Sequence, residues 1–264
     1  MYVSAGFFDP KEHDMRAARI HRFGPPDVIV LDDLARPAPD PDQVLIRVAA
    51  AGVGPWDALI REQKSAVKVA LPLTLGADLS GIVEETGDHA SHVKPGDRVY
   101  GATNPQFIGA CAEYALASAS MIAKMPVSLS FDEAASAPVV AVTAWQMLFA
   151  KAQPGQSVLI QGAGGNVGAY AVQLARQAPG ARHLRIALPR NPLALPRRGF
   201  QQKECRGKVT SERLDRLTDL FDHGELKTRV AISLPLDQVR MAHEMLAGAP
   251  HPGGKIVLHI ADLP

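Results

Sequence analysis

The stretch from 153 to 177, QPGQSVLIQGAGGNVGAYAVQLARQ, constrains this chain more than any other. Pro154-Gly155 suits a tight turn, because proline presets φ and glycine accepts positive φ. The short run Ser157-Val158-Leu159-Ile160 has the length and composition of a strand buried on both faces. A glycine-rich turn, Gly162 to Gly168, comes next. Beyond it Val167, Tyr170, Ala171, Leu174, Ala175 and Ala178 fall at i, i+3, i+4, i+7, i+8 and i+11, the apolar stripe of an amphipathic helix. Strand, glycine turn and helix in that order let backbone approach a pyrophosphate and aim unpaired N–H groups at it. A glycine string alone is better explained by a turn; the flanking strand and helix favour a nucleotide. Gly162, Gly165 and Gly168 read G-x-x-G-x-x-G, and with Asn166 and Val167 they are the candidate cofactor-binding residues.

What surrounds this unit is ordinary in bulk. A chain of 264 residues has room for one large domain or two. A net charge of +1 gives no electrostatic footprint for nucleic acid or an anionic membrane, so neither is expected as a partner. No apolar run approaches the ~20 residues needed to span a bilayer. The opening MYVSAGFFDPKEHD lacks the basic and apolar regions of a secretory signal. Cys111 and Cys205 make neither a disulfide framework nor a four-cysteine zinc lobe. A cytoplasmic location is expected. Residues 1–14 read as an N-terminal extension, with Met1 and Met15 both open as starts.

Upstream the patterns are those of strands. Val44–Val48 reads as a strand followed by a small-residue stretch to Gly54, and Pro55-Trp56-Asp57 opens a short segment to Ile60. Gly81–Glu84, Arg98–Tyr100 and Glu113–Leu116 read as further strands, with a Pro-Gly turn at Lys94–Asp97. Ser130 with Glu133 has the spacing of a capping box and opens a helical region to Ala150. Downstream, His183–Leu188 reads as the second strand of the nucleotide unit, and Pro189–Arg198 as loop. Ser211 caps a helix that Gly224 stops, Arg229–Ser233 is a strand, Leu236–Ala247 a helix with Val239, Ala242, Met245 and Leu246 inward, and Lys255–Ile260 the last strand.

Several segments in order, RIHRFGPPDVIVL, VLIRVAAAGVGPWDALIRE, LPLTLGADLSGIVEETG, KPGDRVYG, AEYA, APVVAVTAWQMLF, the glycine unit and GKIVL, resemble the zinc-independent, quinone-reductase-like medium-chain dehydrogenase/reductases. The resemblance implies an α/β chain with a GroES-like β-domain, 15–143 and 229–264, and a reduced Rossmann domain, 144–228. It also implies NADPH as cofactor and hydride transfer to a quinone or an activated alkene or carbonyl. The zinc-dependent branch carries a cysteine where this chain has Gly54 and a histidine where it has Ala77. Neither offers a ligand atom, and a catalytic zinc needs about three. No metal is expected. His89 and His92 sit beside a turn and read as surface residues.

The resemblance puts three residues at the chemical end of the site. Trp56 either lines the pocket or belongs to the core. Asp57 either binds or caps the turn that follows it. Thr143 matches a family position near the nicotinamide; the other reading is a hydroxyl bonded back to the carbonyl four residues earlier. An asparagine that often stands in the family where this chain has Gly54 is absent, and Tyr114 reads as structural. At the adenosine end Arg190 follows the second strand, where an acidic residue would favour NADH. A guanidinium there would pair with a 2′-phosphate, or it is a solvated loop residue.

The chain departs from the family between Arg190 and Ser211, where about twenty unpatterned residues stand in place of several strands and helices of the full fold. The Rossmann half is therefore expected to be truncated, leaving the first strand short of neighbours. Two readings follow. One is a working NADPH-dependent reductase whose missing layer comes from a partner subunit, a homodimer for instance, or from rearrangement. The other is a catalytically incompetent family member with a mobile segment over 178–210 and weak or absent hydride transfer.

Overall fold

The computed structural model describes residues 14–149, 158–177, 184–187 and 208–264, with backbone alone at 14 and at 184–187. The chain opens with a hairpin of β1 (Asp14–Ile20) and β2 (Ile29–Ala35). Then come β3 (Gln43–Val53), helix α1 (Pro55–Arg61), β4 (Leu73–Thr74), β5 (Asp78–Thr86), β6 (Arg98–Ala102), β7 (Tyr114–Ser118) and β8 (Ile122–Lys124). Helices α2 (Phe131–Ala135) and α3 (Pro138–Phe149) lead to β9 (Val158–Gln161), α4 (Asn166–Gln177) and β10 (Leu184–Ala187). Helix α5 (Ser211–Asp222), β11 (Val230–Pro235), α6 (Val239–Leu246) and β12 (Lys255–His259) complete it.

The sheet is built around β3, which runs eleven residues rather than the five its apolar run suggests. Its first half pairs with β7 through Arg47, and its second half pairs with β12 from Ala50 onward. The register against β5 slips between Val48 and Ala50, where one edge passes from β7 to β12. Such a slip bends a strand and increases its twist, which lets one strand serve two neighbours in turn. The small residues Ala49–Gly52 thus extend the strand, because helix α2 and β12 press on them closely. The result is a seven-stranded sheet, β11-β12-β3-β5-β6-β8 with β7 on β3, and the C-terminal strands are part of it.

Two large apolar clusters make up most of the core among the described residues. One gathers Ile46, Val48, Leu79, Ile122 and Leu258 inside the sheet. The other runs from Tyr100 through Val140 of α3 and Leu174 of α4 to Leu214, Leu217 and Phe221 of α5. The hydroxyl of Tyr100 donates to the Leu214 carbonyl at 2.8 Å, fastening α5 to the sheet. The Ser130–Glu133 capping box is present, with the Glu133 amide on Ser130 and the Glu133 carboxylate reaching back to the Ser130 amide.

Three local expectations are corrected. Thr210, not Ser211, caps α5: it is extended, and its side chain accepts from the Arg213 amide, while the Ser211 hydroxyl donates to the Ala119 carbonyl. The helix expected over 236–247 is a 3₁₀ turn at Leu236–Gln238 followed by α6, whose buried residues are Val239, Ala242 and His243, with Met245 and Leu246 half-buried. Val158 and Leu159 are half-buried and only Ile160 is buried, because β9 has a single parallel partner, β10, in a two-stranded sheet among the described residues. Most of 178–210, including Arg190, lies outside the described residues.

Candidate functional site

At the mouth of α4 the chain makes a cleft of about 240 Å³, lined among others by Gly164, Gly165, Asn166, Lys227, Arg229 and Lys255. That is below the roughly 300–1,000 Å³ of a typical small-molecule pocket, so it suits the central part of a dinucleotide rather than all of it. Gly162 turns the chain at φ 76°, a conformation that glycine adopts without penalty. Gly165 donates to the Gly162 carbonyl at 2.9 Å, and the first intrahelical bond runs from Ala169 to Gly165. The amides of Asn166, Val167 and Gly168 therefore precede the helical ladder and point out of its positive end. A side chain at 168 would collide with the Gly162 carbonyl, so a glycine there is what lets the turn fold onto the helix.

The opposite wall comes from the C-terminal return. Gln173 of α4 grips it twice: its carbonyl accepts from the Lys227 amide at 2.8 Å, and its amide donates to the Lys227 carbonyl at 3.1 Å. Gln177 adds a bond to the Glu225 carbonyl at 2.6 Å. These bonds set Lys227 and Arg229, both exposed, beside the helix mouth, and neither meets a carboxylate among the described residues. No acidic residue lines the cleft among the described residues. Three cations, a helix N-terminus and a close-approach glycine turn form a cradle for a doubly charged phosphate group, so the residues present fit the pyrophosphate of a nicotinamide dinucleotide.

The floor is a buried ionic group. The Lys255 ammonium, on a residue 2% exposed, donates to Oδ2 of the fully buried Asp78 at 2.8 Å and stands 4.2 Å above the Trp56 ring. The other Asp78 oxygen accepts from the Val139 amide at 2.9 Å, in the first turn of α3. Burial pushes the Asp78 carboxyl above its ordinary range, opposed by Lys255. Asp57 is equally enclosed, and burial raises its carboxyl to about 7 against the opposing pull of the Gly54 amide and Lys255. Its Oδ2 accepts from that amide at 2.7 Å, the bond expected of a capping residue at the start of α1; its Oδ1 and the Trp56 indole nitrogen have no partner among the described residues. Arg61 fixes the far end of α1, donating to the Gly24 carbonyl at 2.5 Å and to Nδ1 of His243 at 3.3 Å. Burial and the neighbouring guanidinium hold His243 down to about 3, so it stays neutral.

Two of the expected residues line the cleft, and others stand around it. Gly165 and Asn166 line the cleft, Gly162, Val167 and Gly168 shape its turn, and Trp56 touches it through Lys255. Thr143 lies one turn along α3 from Val140, which lines the cleft; its hydroxyl donates back to the Val139 carbonyl at 2.6 Å. Asp57 accepts from the Gly54 amide and does not line the cleft. Lys227, Arg229, Lys255 and Asp78 were not singled out from sequence. A signal existed for two of them: one lysine and one aspartate stand alone in the otherwise apolar runs KIVL and DLSGIV. Lone charges in two buried strands call for each other.

A family model described as the alcohol dehydrogenase GroES-like domain matches residues 40–127, and one described as zinc-binding dehydrogenase matches 139–258. The quinone oxidoreductase of Homo sapiens is 43% identical over 165 residues, 61% of this chain and 50% of that protein. The 2-methylene-furan-3-one reductase of Solanum lycopersicum is 36% identical over 177 residues, 64% and 46% of the two chains. The chain spans about half the length of these curated relatives. Among solved structures, the quinone oxidoreductase from Coxiella burnetii superposes with a TM-score of 0.77 at 25% identity, covering 94% of this chain and 100% of that one. An alcohol dehydrogenase superfamily protein from Novosphingobium aromaticivorans does so with 0.79 at 26%, covering 94% and 100%. With a GroES-like sheet that takes back its C-terminal strands, and a glycine turn opening onto a parallel pair, the chain combines the GroES-like and zinc-binding dehydrogenase domains in the fold of the medium-chain dehydrogenase/reductases and is similar to their quinone oxidoreductases.

Proposed function

We propose that this chain is an NADPH-dependent oxidoreductase that passes hydride to a quinone or an activated alkene or carbonyl without zinc. The observation that carries the reading is the cleft in which the glycine turn meets Lys227, Arg229 and Lys255. When bound, the nicotinamide would supply the hydride from its C4. The chain's own part is to bind, orient and exclude water. The amides of Asn166, Val167 and Gly168 would hold pyrophosphate oxygens, with Lys227 and Arg229 offsetting their charge. The Thr143 proton is committed to Val139, so toward a ligand this hydroxyl acts as an acceptor, suited to an amide N–H. Trp56 would close one side of the substrate space.

Zinc independence rests on donor chemistry. Gly54 and Ala77 bring no ligand atom, Asp57 is turned to the Gly54 amide, and Asp78 is neutralised by Lys255. Zinc analysis of dialysed protein tests this directly; a stoichiometric metal would refute it. The pairing of β11 and β12 into the first sheet supports treating 15–143 with 229–264 as one unit and 144–228 as the nucleotide unit. A homodimer remains part of the proposal, as a source of cover for β9.

The deciding experiment is an equilibrium titration of the purified chain with NADPH and NADH, followed by fluorescence and thermal melting, then quinone reduction. NADPH is expected to bind more tightly. Replacing Arg190 with Ala should weaken NADPH alone, by about 10–100-fold if a charged hydrogen bond is lost. Equal loss for both cofactors would refute the 2′-phosphate role. No binding of either would favour the incompetent family member, the less supported reading given relatives named as oxidoreductases.

A further inference from the structure

We propose, resting on the cleft reading above, that Lys255 is a positioning residue through which an anion in the cleft sets the orientation of the Trp56 ring. The ammonium has three neighbours at once. It lines the cleft, it donates to Asp78 at 2.8 Å, and it stands 4.2 Å over the indole. No described residue accepts from the indole nitrogen, so hydrogen bonding does not lock the ring. Lys255 covers one ring face, the ring packs against the second apolar cluster, and it stands close to Gly54, where a Cβ would come within 3.0 Å of three indole atoms. Only glycine at 54 leaves that space open.

A pyrophosphate in the cleft would compete with Asp78 for the ammonium, since a charged amine is drawn to the denser anion. A shift of the ammonium changes the field on the indole face, and cation–ring attraction is strongest where water is excluded. Asp78 would keep its bond from the Val139 amide and so hold α3, with Thr143, in place while Lys255 is shared. Filling the cofactor cleft would in this way prepare the substrate-side aromatic.

The test uses inorganic pyrophosphate and the full chain in a Trp145→Phe background, where Trp56 is the one remaining tryptophan of two. Calorimetry reads binding and Trp56 emission reads coupling. Saturable binding with a parallel emission change is expected. Lys255→Met alone would strand Asp78, so the paired variant Asp78→Asn with Lys255→Met is the informative one; the asparagine oxygen still accepts from Val139. It should bind pyrophosphate about 3–10-fold more weakly, the loss of part of one charged contact, with no emission change. Lys255→Arg in the Asp78 background should restore the response. Binding without an emission change in the parent, or an undiminished change in the paired variant, overturns the coupling and leaves the cleft reading standing. No calorimetric binding in the parent overturns both.

Discussion

Two parallel strand pairs in this molecule are made from nearly the same residues and live in different circumstances. Ile256-Val257-Leu258 of β12 pairs with β11 on one side and β3 on the other, and all three are buried. Val158-Leu159-Ile160 of β9 pairs with β10 alone, and only Ile160 is buried. Composition therefore marks a strand without saying how deeply it is enclosed. Enclosure comes from neighbours that other parts of the chain supply. In the larger sheet those neighbours are β11, six residues long, and β3, eleven residues long. At the glycine turn the described cover of β9 and β10 comes from α4.

The sharpest way to test that contrast is to remove the same side chain from each pair. Leu258→Ala should cost about 2–5 kcal/mol, the range for a buried leucine that leaves a cavity. Leu159→Ala should cost about 1 kcal/mol, because part of its surface already meets solvent. Urea unfolding of both variants measures the difference; equal losses would show that β9 is as enclosed as β12.

Asp57 belongs to the larger region, beside Gly54, Lys255 and Asp78. Its folded value of about 7 lies above the ordinary 3.8, so the folded state holds a proton that the unfolded chain has released between those values. Stability from this group is full below about pH 4 and falls as pH rises toward 7. The loss is up to about 4 kcal/mol, at about 1.4 kcal/mol for each pH unit between the two values. Asp57→Asn keeps an acceptor for the Gly54 amide and should flatten that slope. A slope unchanged in the variant would place the titrating group elsewhere.

Gly168→Ala should act on the smaller region alone. Its new methyl meets the Gly162 carbonyl, so the turn must open, at a cost of about 1–3 kcal/mol. We expect weaker NADPH binding with little change in unfolding of the larger sheet. A drop in the main unfolding midpoint as large as that for Leu258→Ala would mean the two regions unfold as one.

The smallest effect belongs to the C-terminal end of β12. Asp132 raises the His259 imidazole above its ordinary 6.5, with Asp262 also in contact at 3.1 Å. Its contribution is present below the unfolded value and is lost as pH rises through the higher folded one. The ring is 41% exposed, so screening leaves about a few tenths of a kcal/mol. His259→Gln should remove that dependence in thermal melts between about pH 6 and 8, the working range of histidine.

Elements with local punctuation were legible from sequence. The Ser130–Glu133 box, the glycine turn and the strand before it carry their own start and stop signals. What escaped was set by distant partners. β3 runs on through Ala49–Gly52 because β12, roughly two hundred residues away in sequence, pairs with it. Thr210 caps α5 in preference to Ser211 because Ser211 turns its hydroxyl to Ala119. At the site, the helix-mouth residues were foreseen, while the three cations facing them arrive from the C-terminal return and share no local motif with the turn.

The double bond from Gln173 to residue 227 has a consequence for what changes the chain can tolerate. A side-chain amide presents an acceptor and a donor side by side, as a peptide group does, so the helix addresses the returning backbone as a neighbouring strand would; the nitrogen also donates to the Ala169 carbonyl at 3.3 Å. It recognises a position, not a side chain. Substitutions at 227 keep the grip, whereas adding or deleting a single residue between Gly224 and Lys227 would seat a different residue in it and carry Arg229 off the helix mouth. The backbone grip at 227 is thus permissive to substitution and intolerant of insertion: chain length sets where the cradle stands, while its charge rests on Lys227 and Arg229.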